Sequence, residues 1–298
     1  MQAFLQNLIN GVAQGSVYSL VALGYTMVYG VLQFINFAHS EIFMMGAFAG
    51  IYLAAWLGWI HNPILLTLAV MMGCMIFCVA VALTVERIAY RPLRKAPRLN
   101  VLITAIGVSL FLQNFGQIFF GADPRVFPEL IRTESLLEGN IVLNNIQVTV
   151  ILVSAFLMFA LQWIVNHTKL GTAMRAVSFD IEIASLMGIP TDKVIVFTFT
   201  IGSALAGCAA VLYGLSYPKI EPFMGVMIGL KAFVAAVFGG IGNIMGAAIG
   251  GVVLGLAETF VVYYVSSSFR DAIAFGLLIF ILLFRPAGLL GSFRREKV

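Results

Sequence analysis

The chain has 298 residues, a formal net charge of +4, 61% hydrophobic residues and only 10% charged ones. Soluble domains carry about 25% charged residues, so this sequence cannot clothe a water-facing surface and is excluded as an ordinary soluble enzyme or a nucleic-acid binder. Lipid takes the place of water as its solvent, and the expectation is an all-α polytopic membrane protein, a single transmembrane domain over 1–298.

The first apolar stretch runs from about Leu8 to Leu32. No basic region precedes it and no clear small-residue cleavage site follows, so it is expected to stay as a span. A polar-flecked patch, Gln33 to Glu41, comes next. The second stretch is Ile42 to Ile60, ended by His61-Asn62-Pro63, and the third is Ile64 to about Val85. Cys74 and Cys78 lie four apart in it, on one helix face. With Cys208 they form no Cys/His cluster, so they read as small packing residues rather than metal ligands or a disulfide. The densest charge run, ERIAYRPLRKAPR, fills 86–98. The fourth stretch is Val101 to Phe120, followed by a long polar loop, 121–145. The fifth is Ile146 to Val165. A second long loop, 167–193, precedes the sixth, Val194 to Leu215. The Gly-rich remainder, Phe223 to Phe284, holds about three more, broken near GGIGN (239–243) and SSSFRD (266–271). A crossing takes roughly 20 apolar residues, so the bundle has nine hydrophobic segments, or eight if one is re-entrant or interfacial. The first segment and the Gly-rich pair around 239–243 are the ones in question.

Lys and Arg set the orientation. Loops 86–98 and 167–193 and the tail from Arg285 hold twelve basic residues, against four in the opposite loops: Arg125, Arg132, Lys219 and Arg270. Loop 121–145 also carries Asp123, Glu129, Glu134 and Glu138. The basic side, and the C-terminus with it, is expected in the cytoplasm, and loop 121–145 in the periplasm. Nine spans then put the N-terminus outside; eight would move the N-terminus and leave the basic loops where they are.

Loop 167–193 is the most informative segment. Within it, AMRAVSFDIEIASLMG has apolar residues at mixed three- and four-residue spacings, with Arg175, Asp180 and Glu182 between them. Gly188 followed by Ile189-Pro190 is a stop signal. A short amphipathic helix here would lie on the membrane or dock into a partner protein. Its polar side is charge-balanced, which weakens the lipid-surface reading. An ordinary structured loop is the plain alternative.

This segment resembles the cytoplasmic coupling loop of the branched-chain amino acid permeases of bacterial ABC importers. The matching residues are Gly171, Ala173, Met174, Arg175, Ala176, Val177, Ile183, Ala184, Met187, Gly188 and Ile189. GVAQGSVYSLVALGYTMVYGVLQFINFAHSEIFMMGAF (11–48), GLKAFVAAVFGGIGNIMGAAIGG (229–251) and RDAIAFGLLIFILLFRPAGLLG (270–291) are similar to the family as well. Together they cover nearly the whole chain in collinear order. Ser40 stands where the family usually has Gly, and Met245 where Pro is common. The resemblance implies an inner-membrane permease bundle that imports leucine, isoleucine and valine. Its implied partners are a homologous permease, two ATP-binding subunits, a periplasmic substrate-binding protein and membrane lipid. It also implies that Gly171, Met174, Arg175, Glu182, Met187 and Gly188 couple to the ATPase. Permeases for urea or short amides share much of this pattern and stay open as an alternative.

Polar groups inside spans are costly and tend to face protein or a water-filled path. Gln33, Asn36, His39 and Glu41 cluster around INFAHSE, Gln113 and Asn114 interrupt the fourth stretch, and Lys231 and Glu258 interrupt the last region. These eight are the candidate pathway or gate residues. Packing and helix capping compete with that role, with Asn36 or Ser40 as a cap for the following helix. No sequence spacing shows whether Lys231 and Glu258 meet. The small-xxx-small spacings Gly246–Gly250 and Gly251–Gly255 fit close helix packing. GGIGN lacks the Gly-Lys-Ser/Thr of a phosphate loop, and no other ATP motif, HExxH or nucleophile–base motif occurs, so the chain is expected to have no cofactor and no enzymatic activity. An ion-gradient-driven transporter and a membrane scaffold are the other function classes.

Overall fold

The computed structural model describes residues 2–94, 96–137 and 142–291. Lys95, Glu138, Arg294, Arg295 and Lys297 from the charge count lie outside the described residues, as does the side chain of Arg98. Eleven α-helices follow in order. They are α1 (Gln2–Leu32), α2 (Ala38–Trp56), α3 (Pro63–Val85), α4 (Arg98–Phe120), α5 (Asn145–His167), α6 (Lys169–Phe179), α7 (Ile181–Leu186), α8 (Thr191–Ser216), α9 (Met224–Gly239), α10 (Ile244–Tyr264) and α11 (Arg270–Phe284).

Local chemistry sets many of the boundaries. Asn62 caps α3, its side chain accepting from the backbone N–H groups of Ile64 and Leu65 with Pro63 in the first turn. Asn144 and Gln147 form a capping box at α5. Asn243 accepts from the Gly246 N–H to start α10, after a turn in which Gly240 (φ 108°) and Gly242 (φ 91°) occupy backbone that L side chains rarely adopt. α3 runs on through a π turn, Glu86–Tyr90, and a 3-10 turn, Arg91–Leu93.

All nine apolar segments read from the sequence are helical. Among the described residues, eight helices have the length and composition of a membrane crossing; the first of them is a 31-residue helix, long enough for the N-terminal stretch to cross. The short one is α9, with 16 residues, about 24 Å long. α2 begins four residues before the apolar run it was expected to match, which puts His39, Ser40 and Glu41 in its first turn. Neither Asn36 nor Ser40 caps it. Phe37 takes the cap position with no side-chain hydrogen bond, and Ser40 Oγ donates to the Phe37 carbonyl.

The two ends of the bundle are defined by contacts between loops. At one end, β1 (Arg125–Val126) pairs antiparallel with β4 (Lys219–Ile220), and the Gln6 side chain bonds both backbone groups of Val142. A second hairpin, β2 (Ser135–Leu137) with β3 (Leu143–Asn144), belongs to the same loop. At the other end, Arg91 and Arg94 pair with Asp192, Gly30 faces Gly242, and Asn243 donates to the Leu290 carbonyl. The described parts of the basic loops 86–98 and 167–193 share this second end.

α1, α2 and α8 are buried along most of their length, while α3, α4, α5 and α11 turn most of their surface outward. The tightest seam joins α1 to α10. A methyl group on Gly15 would lie 2.6 Å from the Val252 Cα, so only glycine permits this approach. Ser19 Oγ bridges the same seam, 2.6 Å from the Ala248 carbonyl.

Candidate functional site

Three places gather the polar residues of the spans and of the long basic-end loop.

The first is the α6–α7 elbow. Thr168 starts α6 by accepting from the Gly171 N–H, and Asp180 starts α7 by accepting from Glu182 and Ile183. Arg175 donates to the Val165 carbonyl at the end of α5, 2.6 Å away, and to Thr172 Oγ1 at 3.3 Å. Gly171 packs on the Ile164 and Val165 carbonyls, and Met174 and Val177 are buried. Gly171, Met174 and Arg175 therefore attach the elbow to its own spans. Gly188, at φ 81° with open space around its Cα, ends α7. Glu182 is exposed, and so are Ile183, Leu186 (87%) and Met187 (78%). Ile183 and Leu186 were not among the coupling candidates, although their three-residue spacing in an amphipathic segment was the signal that marks them.

The second place is a charged cluster toward the β1–β4 end. Glu258 has no exposure, and both its oxygens are saturated. Oε2 accepts from Gln14 Nε2 and from the Tyr18 hydroxyl, each at 2.7 Å. Oε1 lies 2.5 Å from Lys231 Nζ and 2.6 Å from Arg270 Nε. Lys231 also reaches Asp271, 2.8 Å away, and the Tyr217 hydroxyl donates to Gln14 Oε1. Two cations and two carboxylates thus balance each other across α9, α10 and α11, as a buried charge requires. The pair Lys231–Glu258, left open by the sequence, is formed. Gln14, Tyr18, Tyr217, Arg270 and Asp271 were missed as members, since nothing local links residues up to 244 positions apart.

The third place is the INFAHSE segment. Asn36 accepts from the Tyr90 hydroxyl at 2.6 Å, while its own amide nitrogen has no partner. Gln33 takes the backbone to φ 59°, the one described non-glycine residue at positive φ, and bends the chain between α1 and α2. His39 sits against Gly24 with its ring at 70° to that of Tyr25, and its Nε2 is unpartnered. Glu41 has no exposure. Its Oε1 is 3.4 Å from Ser109 Oγ, and its Oε2 has no partner. Gly225 and Gly229 of α9 pack on Glu41 and Ser40. In α4, Gln113 is buried. Asn114 is exposed and donates to the Leu110 carbonyl of its own helix, so within this chain it faces outward. No group of three or more His, Cys, Asp or Glu able to hold a metal occurs among the described residues.

Residues 7–282 match the family model described as the permease component of the branched-chain amino acid transport system. The chain is 44% identical to the high-affinity branched-chain amino acid transport system permease protein BraD of Pseudomonas aeruginosa, over 99% of this chain and 98% of that one. It is 42% identical to LivH of Escherichia coli, which carries the same description, with the same coverage. Among solved structures, PsaBC from Streptococcus pneumoniae in complex with Fab superposes with a TM-score of 0.50 at 13% identity, covering 95% of this chain and 92% of that one. That likeness is one of fold alone.

Proposed function

Since the chain belongs to the permease family of the branched-chain amino acid transport system, we propose that it forms half of the membrane pathway of an ATP-driven importer of leucine, isoleucine and valine. The observation that carries this reading is full-length similarity to permeases with that described role. A homologous permease completes the pathway, two ATP-binding subunits supply the energy, and a periplasmic binding protein delivers the amino acid. The basic end faces the cytoplasm of a bacterial cell and the C-terminus lies there, in keeping with the bias of Lys and Arg. The acidic loop 121–145 then faces the periplasm as a contact for the delivery protein.

The α6–α7 elbow supports the coupling role. It presents Ile183, Leu186 and Met187 to the side where the ATPase would sit, and apolar side chains there are ready to fill a groove on a partner. Arg175 transmits the contact by tying the elbow to the last turn of α5. ATP binding would then bias the pathway between its outward and inward states through differential contacts at the elbow. Glu41, His39, Asn36, Gln33 and Gln113 stand as pathway or gate groups, Lys231 and Glu258 hold together the helices beside them, and Asn114 lies on the outward face where a neighbouring subunit would meet it.

The test is leucine uptake into proteoliposomes holding this chain, its partner permease, both ATPases and the binding protein. Entry that needs ATP and the binding protein is the expected result. Entry of urea or short amides but not leucine would move the substrate, and uptake by this chain alone on an ion gradient would overturn the class. Arg175→Glu should insert normally yet lose ATP-driven uptake or ATPase assembly; normal uptake by that variant would sink the coupling role.

A further inference from the structure

A cavity of about 330 Å³ lies beside the charged cluster, between α1, the end of α8, α9 and α11. A second, of about 490 Å³, adjoins it and shares Gln14, Tyr217 and Arg270 with it. The lining of the smaller one divides by chemistry. Tyr217, Glu221 and Arg270 are polar or charged; Val17, Met227 and Ile228 are aliphatic.

Arg270 lines both cavities. Its Nε is committed to Glu258 and its guanidinium also meets the Tyr217 hydroxyl, which leaves the remaining Nη hydrogens as donors, and its side chain is 41% exposed where the two cavities meet. A guanidinium held by Nε and open at Nη matches a carboxylate. Glu258 has no remaining acceptor position of its own, because four donors already occupy it. It acts as a positioning residue that holds Arg270 and Lys231. The nearby carboxylate Glu221, 3.1 Å from Lys219 and partly exposed, offers an acceptor for an ammonium group.

The charges also select. Lys231 and Arg270 balance Glu258 and Asp271, and Lys219 balances Glu221. A zwitterion enters this surface without changing its net charge, whereas a net anion or cation changes it and lacks a partner for one end of the charge pattern. We propose that this cavity is a transit site for an α-amino acid with a branched aliphatic side chain, its carboxylate on Arg270 and its side chain against Val17, Met227 and Ile228. The assignment rests on the proposed importer reading and adds the place and the contacts.

Saturation-transfer difference NMR on the complete permease–ATPase complex, without the binding protein, tests it with leucine, leucinamide and 4-methylpentanoate. Leucine should bind, and each analogue, lacking one charge, should bind about tenfold more weakly or worse. Arg270→Gln should weaken leucine by about tenfold or more. Ile228→Ala, which leaves the charged cluster intact, should weaken leucine several-fold relative to phenylalanine, roughly three- to tenfold. No detectable leucine binding, equal binding of leucinamide, or a leucine-to-phenylalanine ratio unmoved by Ile228→Ala would each overturn the site. ATP-driven leucine uptake by the same wild-type complex is the separate reading. If uptake succeeds and these binding results fail, only the transit site falls; if wild-type uptake fails, the importer reading falls first.

Discussion

Glu258 and Glu41 are both buried carboxylates on membrane helices, and their surroundings could hardly differ more. Glu258, on α10, receives four donors from α1, α9 and α11, two of them cationic. Glu41 has one long contact to Ser109 and one oxygen with no partner, packed against glycines of α9. The first is a fastening, in which polar groups inside lipid hold distant helices in one arrangement. The second leaves one oxygen without a protein partner, so it can bond water, a passing solute or a neighbour that moves. Side-chain type alone does not separate fastening from readiness; the count of donors does.

Glu258→Ala should have the largest effect. Removing the carboxylate leaves Arg270 without its carboxylate partner and Lys231 with Asp271 alone, and truncating one side of a buried ion pair costs about 3–5 kcal/mol. Thermal unfolding of the detergent-solubilised complex should show it as a large fall in Tm, and an unchanged Tm would dissolve the contrast. Gly225→Leu comes next. A Cβ there would lie 2.6 Å from Glu41 Oε2 and 2.9 Å from the Ser40 carbonyl, and overpacking of this kind costs about 1–3 kcal/mol. Gly276→Ala is its control, since nothing lies within 4 Å of that position; its Tm should match the wild type. Leu186→Ser on α7 should leave Tm alone and weaken co-purification of the ATPase by about 1–2 kcal/mol of lost apolar contact, read as a rise in the ATPase concentration needed for half-maximal assembly. Glu41→Gln should cost little stability, below about 1 kcal/mol, because one weak hydrogen bond is exchanged for another. A loss as large as that of Glu258→Ala would erase the distinction between the two sites.

The span pattern was open to reading because lipid demands long apolar runs, and Asn62, Gly188 and Pro190 mark their chemistry locally. What lay hidden was direction around each helix. In a membrane the inward and outward faces are both apolar, so the periodic signal that marks a buried face in water is weak. Hence Asn114 and Gln113, adjacent in sequence, looked alike, yet one is exposed and the other buried. The partners of Glu258 were hidden for a different reason: Gln14 and Tyr18 come from the other end of the chain, and no spacing rule reaches that far. At the elbow the residue types were visible in the sequence, but not that Arg175 turns back onto α5 while Leu186 points away.

The seam between α1 and α10 also bears on how the chain is made. α1 leaves the ribosome well over 200 residues before α10, and at synthesis rates of roughly 5–20 residues per second that is a delay on the order of 10–50 s. Throughout it, Gln14, Tyr18 and Ser19 have none of the α10 groups they bond in the finished fold. The first helix is therefore expected to linger beside the insertion machinery as a guest, released when the tenth helix arrives to claim its polar face. Site-specific crosslinking from position 14 in chains arrested before and after residue 264 would time that release.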